Sequence, residues 1–270
     1  MANISASNSP EIADTTVASA ARPVVLRIGL ADLRDALAKG VQDFMATPTQ
    51  LLFIGVIYPL VGLVAARAAF GGDLLPLLYP VVAGLSLMGP VAAVGIYELS
   101  RRREQGLPVS WLNVFDVRRS PSFFSILLLG VMLLAIFVAW VAAAKAIYDG
   151  SFGGVAPDSV EAFARQLFTT PEGWRLVILG NGVGFLFAVL VLTLTVVSFP
   201  LLLDRNVGAV AAVKTSVRAV LANPFAMAVW GLIVAVALLI GCLPLFVGLA
   251  VVMPILGHAT WHLYRKVVAP

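Results

Sequence analysis

Charged residues make up only 12% of the 270-residue chain, against 60% hydrophobic residues and a mean hydropathy of +0.99. Soluble domains carry roughly 25% charged residues, and half that supply cannot cover the surface of a 28.5 kDa sphere. A water-soluble enzyme is excluded, because the surplus apolar surface has to be buried in lipid. Cysteine is nearly absent. Cys242 stands alone, which rules out an intrachain disulfide framework and any cysteine-based zinc or iron–sulfur site within one chain. The motifs of catalysis are missing as well: there is no G-x-x-x-x-G-K-[ST] loop, no H-E-x-x-H, no G-x-S-x-G elbow and no close pair of carboxylates in a span. The expectation is a protein that is not an enzyme, with no catalytic residue and no resident metal. Residues 1–24 mix Ser, Ala, Thr and Asn without an apolar core, so they read as a disordered cytoplasmic tail with no cleavable signal peptide.

Long apolar blocks fill the rest: Leu51 to Ala69, Leu74 to Tyr97, Phe123 to Ile147, Trp174 to Leu203 and Pro224 to Tyr264. Each of the first four exceeds the ~17 residues needed to cross ~30 Å of hydrocarbon. The fifth is too long for one helix and breaks at Gly241-Cys242-Leu243-Pro244, since a Gly/Pro pair interrupts a helix. The predicted fold is an all-α polytopic membrane protein. Its membrane domain, residues 25–268, has six transmembrane helices at about 51–69, 74–97, 123–147, 174–203, 224–241 and 245–264. A re-entrant hairpin is the alternative for the last pair.

Basic residues orient these spans. The net charge of +4 sits beside apolar runs, where orientation signals and anionic headgroups explain it better than nucleic acid does. With the N-terminus inside, only Arg67, Lys145, Arg165 and Arg175 of the 18 Lys and Arg residues fall outside. Both termini are therefore expected on the cytoplasmic face of a bacterial inner membrane.

The chain also resembles itself. Pro48 and Pro224 each follow an amphipathic stretch, and aligning Pro90 with Pro254 brings Tyr97 onto Trp261, Glu98 onto His262 and Arg101-Arg102 onto Arg265-Lys266. Three parallel helical hairpins with interfacial amphipathic helices fit this internal repeat. In the first lead-in helix Leu30, Leu33, Leu37, Val41 and Phe44 form the apolar stripe, with Arg34, Lys39 and Asp43 elsewhere on the wheel; in the second, Val210, Val213, Val217 and Val220 recur against Lys214 and Arg218. Each stripe either enters the interface or packs on the end of the bundle. Between the third and fourth spans, Val160, Phe163 and Leu167 predict a short amphipathic helix, and Thr170-Pro171-Glu172 a cap.

Polar side chains near the membrane are few enough to weigh one by one. His258 and His262 lie at i, i+4 on the last span, a spacing suited to haem or quinone binding but also to headgroup anchoring beside Trp261 and Tyr264. Glu98, Arg101, Arg102 and Arg103, with Trp261 and Tyr264, form a candidate polar or headgroup site, and a Glu98–His262 contact follows from the repeat. Otherwise Glu98 pairs along its own helix with Arg101 or Arg102. Asn181 sits in Gly180-Asn181-Gly182-Val183-Gly184, a small-residue face that admits another backbone. Thr193, Thr195 and Ser198 are expected to bond carbonyls of their own helix.

The strings Gly89-Pro90, Gly95-Ile96-Tyr97-Glu98-Leu99-Ser100-Arg101-Arg102-Arg103-Glu104-Gln105-Gly106 and Gly257-His258-Ala259-Thr260-Trp261-His262-Leu263-Tyr264-Arg265 resemble the bacterial family catalogued as domain of unknown function 2189. The resemblance extends from about Val25 to Val268 and implies a multi-span protein of the cytoplasmic membrane, with no assigned reaction or ligand. The expected function is a scaffold or accessory subunit that contacts membrane lipids, a membrane-protein partner or a second copy of itself. The alternatives are a carrier or channel for a small or lipophilic solute, and a redox accessory binding haem or quinone through His258 and His262.

Overall fold

Helices account for most of the described backbone, as the apolar runs require. A computed structural model describes residues 23–49, 53, 55, 72–244 and 246–270. The expected first span, 51–69, and most of the N-terminal tail lie outside the described residues.

The first helix, α1 (Leu30–Ala46), starts at Gly29, whose N–H donates to the Asp32 carboxylate at 2.9 Å. After a 3₁₀ turn at Gly72–Leu77 come α2 (Leu78–Leu87) and α3 (Gly89–Glu104), with Pro90 in the first turn of α3 and Arg101 to Arg103 in its last. That charge placement complements the helix dipole. Gly106, at φ +67°, ends the helix in the left-handed conformation that glycine adopts without strain. A 3₁₀ segment, Trp111–Arg119, leads to α4 (Phe123–Phe152). The amphipathic α5 (Val160–Thr169) is capped by Ser159, and α6 (Pro171–Thr195) by the Thr170 side chain, which accepts from the Gly173 N–H. α7 (Ser198–Asp204), α8 (Ala209–Ala222), α9 (Pro224–Cys242) and α10 (Leu249–Val267) complete the chain.

Among the described residues, four helical stretches are long and apolar enough to cross a membrane: Leu75–Glu104, Phe123–Phe152, Pro171–Asp204 and Pro224–Cys242. They match four of the six expected spans. The sixth expected span corresponds to α10, which is not among the four. Its C-terminal half carries His258, His262, Arg265 and Lys266 and buries Leu256, Ala259, Trp261, Leu263, Tyr264 and Val267 against protein. Side chains that meet protein need not be uniformly apolar.

Packing concentrates at one end of the bundle, where Leu33, Tyr97, Phe199, Leu201, Trp230, Trp261 and Tyr264 belong to one buried cluster. α1 lies so close to α10 that a Cβ on Gly40 would stand 2.7 Å from both Cβ and N of Ala259. Its buried face is Leu33, Ala36, Gly40, Asp43 and Phe44, while Leu30 and Val41 are exposed. The expected stripe is thus rotated toward the small residues, because they allow the closer approach. α8 likewise buries Ala212, Thr215, Ser216 and Ala219 and leaves Val210 exposed. Asn223, between α8 and α9, accepts from the Ile28 N–H at 2.8 Å and donates to the Leu26 carbonyl at 3.0 Å. Val25 and Val268 meet in an antiparallel bridge.

Toward the other end, Trp140 of α4 fills the space beside Gly84 of α2 and Gly184 of α6 and donates its indole N–H to the Pro80 carbonyl at 2.6 Å. Gly180 and Gly182 meet nothing within 4 Å among the described residues. The expected backbone approach is therefore replaced there by an indole ring at Gly184. Asn181 accepts from the Tyr79 hydroxyl at 2.9 Å and donates to the Val177 carbonyl. Thr193, Thr195 and Ser198 bond carbonyls four residues back, as their helical positions predict.

Candidate functional site: a buried polar cluster where α1, α3 and α10 meet

Asp43 is the hub. It points from α1 into the seam between α3 and α10 and is 6% exposed. Its Oδ2 lies 2.6 Å from Ser100 Oγ and 2.8 Å from His262 Nε2, and its Oδ1 lies 3.5 Å from Arg103 Nε. An ionised carboxylate only accepts, so Ser100 spends its one proton on Asp43 and His262 donates Nε2–H. Ser100 Oγ also lies 2.7 Å from His258 Nδ1. With the serine proton used, that bond is donated by His258, which leaves its buried Nε2 with no hydrogen-bond partner among the described residues. Arg103 completes the group by donating to Thr47 Oγ1 at 2.6 Å. Burial pushes the Asp43 carboxyl upward, but the hydrogen bonds from His262 and Ser100 outweigh it and hold the group below the ordinary carboxylate range.

Around this hub several other rim charges are paired internally. Arg101 forms a bidentate pair with Glu98 at 2.7 and 2.8 Å, and Arg102 reaches Asp116 at 3.4 Å. Glu104 accepts from Trp261 Nε1 at 3.1 Å and from Arg265 Nε at 3.0 Å, while Asp204 accepts from the Tyr264 hydroxyl at 2.5 Å. Lys266 bridges to Asp35 and Asp32 on α1.

This geometry redistributes the expected site. Glu98 and His262 do not touch: each takes a different partner, Arg101 for one and Asp43 for the other. Trp261 and Tyr264 are fully buried, with their polar atoms turned to Glu104 and Asp204, so neither presents its ring to headgroups. His258 and His262 face Ser100 and Asp43 rather than a shared centre, and His258 is 1% exposed. Among the described residues no group of three or more His, Cys, Asp or Glu side chains is arranged to hold a metal ion. Although serine, histidine and aspartate converge, the serine proton is committed to the carboxylate. Asp43 contacts the serine directly instead of standing behind His258, which differs from the serine–histidine–aspartate order of a nucleophilic triad. The arrangement holds three helices together.

Sequence reading missed Asp43, Ser100 and Thr47. The available signal was Ala36 and Gly40, one turn apart and followed by Asp43 at the next position of the same face.

Comparison with known proteins bears on the segment that carries half of this cluster. Residues 78–204 match the family model described as a predicted integral membrane protein, DUF2189. Over this segment, a little under half of its length, the chain is similar to the DUF2189 family. No curated protein and no solved structure matches the chain. The DUF2189 segment is shorter than the resemblance implied: it contains the Gly89-to-Gly106 string and leaves out the string from Gly257 to Arg265. Ser100, Arg103 and Glu104 thus come from the DUF2189 segment, whereas Asp43, His258 and His262 come from helices that flank it in sequence and pack against it in space.

Proposed function

We propose that this protein, similar over residues 78–204 to the DUF2189 family, is a non-enzymatic scaffold or accessory subunit of a bacterial inner membrane, acting through the polar end of its bundle. One observation carries the reading. Apart from His258 Nε2 and Thr49 Oγ1, the buried polar side chains at that end are committed to partners, while Arg27, Arg34, Lys214 and Arg218 are exposed and form no ion pair among the described residues. Cations left over at a rim recruit acidic partners, either lipid headgroups or the acidic face of another membrane protein. The positive-inside rule supports placing this end, with both termini, in the cytoplasm, and the matching lead-in helices α1 and α8 support an internal repeat.

Purification of the tagged chain in mild detergent tests the reading. A stoichiometric partner, lost in Lys214→Glu/Arg218→Glu without loss of the fold, is the expected result; a monodisperse chain with no partner, equally stable with and without acidic lipid, would count against it. A carrier for a lipophilic solute is the second reading, favoured by an apolar groove of about 410 Å³ lined by Val81, Phe137, Val138, Val141, Ala142 and Lys145. Solute-dependent uptake into liposomes would select it.

A further inference from the structure

The 3₁₀ segment Trp111–Arg119 was silent in the sequence, yet it is built with two unlike faces. Its inner face is fastened. Val117 is buried, and Val114 lies against Gly95 so closely that a Cβ there would stand 2.8 Å from the Val114 Cβ. Asn113 accepts from the Ser110 N–H at 2.8 Å and donates to Asp116 at 2.7 Å, and Asp116 in turn holds Arg102 of α3. Arg102 also donates to the Pro108 carbonyl at 3.1 Å. The segment is therefore clamped onto the last turns of α3.

Its outer face is apolar and basic. Trp111, Leu112 and Phe115 are 51%, 55% and 47% exposed. The Arg118 guanidinium sits 5.7 Å from the centroid of the Phe115 ring, its Nε donating to the Phe115 carbonyl, and it pairs with no carboxylate among the described residues. The Arg119 side chain is 88% exposed, and among the described residues it reaches only Asp116, at 3.6 Å, which Arg102 already shares. Position decides what meets this face. The segment joins two helices long and apolar enough to span a membrane, following Glu104 and preceding Phe123, so it cannot leave the layer in which those helices end. Phe123 and Phe124 at the start of α4 are exposed too and extend the aromatic band. Aromatic rings with adjacent arginines at a span terminus match the chemistry of the lipid interface, where rings sit at headgroup depth and guanidinium groups bind phosphate.

We propose that Trp111–Arg119 is a rigid binding surface for acidic phospholipids, with Trp111, Leu112 and Phe115 set among the upper acyl carbons and Arg118 and Arg119 on the headgroup phosphates. It rests on the reading of a basic rim that meets acidic partners and names a lipid site within it; a phosphatidylglycerol response lost in Lys214→Glu/Arg218→Glu but unchanged in Arg118→Gln would overturn this site and leave that reading standing.

The test uses the full chain in mixed micelles of detergent and phosphatidylcholine, titrated with phosphatidylglycerol while the unfolding midpoint is followed. Wild type is expected to gain stability saturably. Arg118→Gln is expected to need about fivefold more phosphatidylglycerol for half the gain, the ratio equivalent to ~1 kcal/mol per arginine at an acidic surface, with an unchanged midpoint in phosphatidylcholine alone. Arg118→Lys should keep most of the wild-type response, and Arg165→Gln, at the opposite end of the bundle, all of it. Should Arg118→Gln fail to fold, Arg119→Gln takes its place with the same expectation. Equal half-saturation in wild type and the glutamine variant would overturn the proposal. So would an equal loss in Arg165→Gln, or the same gain from inorganic phosphate or glycerol phosphate, which would make the ligand a free anion rather than a lipid.

Discussion

A single carboxylate on α1 receives hydrogen bonds from two other helices, so Asp43 couples three helices through one side chain. Replacing it with Asn removes the charge while keeping the shape, and it sets an NH2 donor against either Arg103 or the Ser100 and His262 pair, since only one acceptor oxygen is left. Breaking one partner out of a buried, charge-assisted network costs about 3 kcal/mol. Asp43→Asn should therefore lower unfolding stability by roughly that amount in detergent, read by chemical denaturation. Ser100→Ala, which leaves Asp43 its other donors, should cost about 1 kcal/mol. The sign of the pH dependence follows from the depressed Asp43 value. A group whose pKa falls on folding contributes fully above its unfolded value, about 3.9, and loses that contribution as pH drops through the lower folded value. Titration of stability below pH 5 should show an acid-destabilised limb in wild type, shallower in Asp43→Asn; parallel limbs would remove Asp43 from the account. At this scale the sequence was least legible. Helical spacing placed Asp43 off the stripe of large side chains, and only the tertiary approach of α10 turns the small face, with Asp43 on it, inward.

Helices are held at distances that their smallest residues set. Gly40 faces backbone atoms of Ala259, and backbone cannot rotate out of the way. Gly40→Ala should therefore push α1 off α10, destabilising by about 2 kcal/mol, the usual cost of overpacking a close contact, and accelerating amide exchange across Leu30–Ala46. Gly180→Ala is the matched comparison. It meets open space among the described residues and removes a helix-interior glycine, so it should be neutral or stabilising by up to ~1 kcal/mol. Equal effects of the two would show that packing at Gly40 is not special. Asn223→Ala belongs at this scale as well, since that amide ties residues 26–28 to the start of α9. Its loss should raise exchange at Leu26 and Ile28 while leaving α9 protected. The elements themselves were legible: the apolar runs, the Thr170 cap and the end of α9 at Cys242 all follow from local chemistry. Their contacts were not, because two apolar helices can meet through many faces of similar hydropathy, as the exchange of Gly180 for Gly184 and Trp140 shows.

Across the whole molecule, scarce charge is sorted by position. The C-terminal ends of α3, α7 and α10 and the whole of α1 converge on one end, where Glu104, Asp204, Arg265, Lys266, Asp32 and Asp35 interlock. Lys145 and Asp149 pair at the far end of α4. This sorting bears directly on the α9–α10 hairpin, for which a full crossing and a re-entrant loop were both open from sequence. α9 leaves the polar end at Asn223 and runs 19 residues to Cys242, and α10 returns over 19 residues to the ion pairs of Lys266. At 1.5 Å per residue each arm is about 28 Å long, close to the ~30 Å of the hydrocarbon core, whereas a re-entrant arm would be about half that. The turn at Leu243 should thus emerge on the side opposite Lys214. In a Cys242→Ser background, Leu243→Cys, whose parent side chain is 75% exposed, should react with an impermeant maleimide added outside sealed right-side-out vesicles. Lys214→Cys in the same background should react only after the vesicles are opened. Reaction of both from one side would mean that the hairpin turns back within the bilayer, and the short apolar turn would then have to be buried by protein rather than delivered to the far interface.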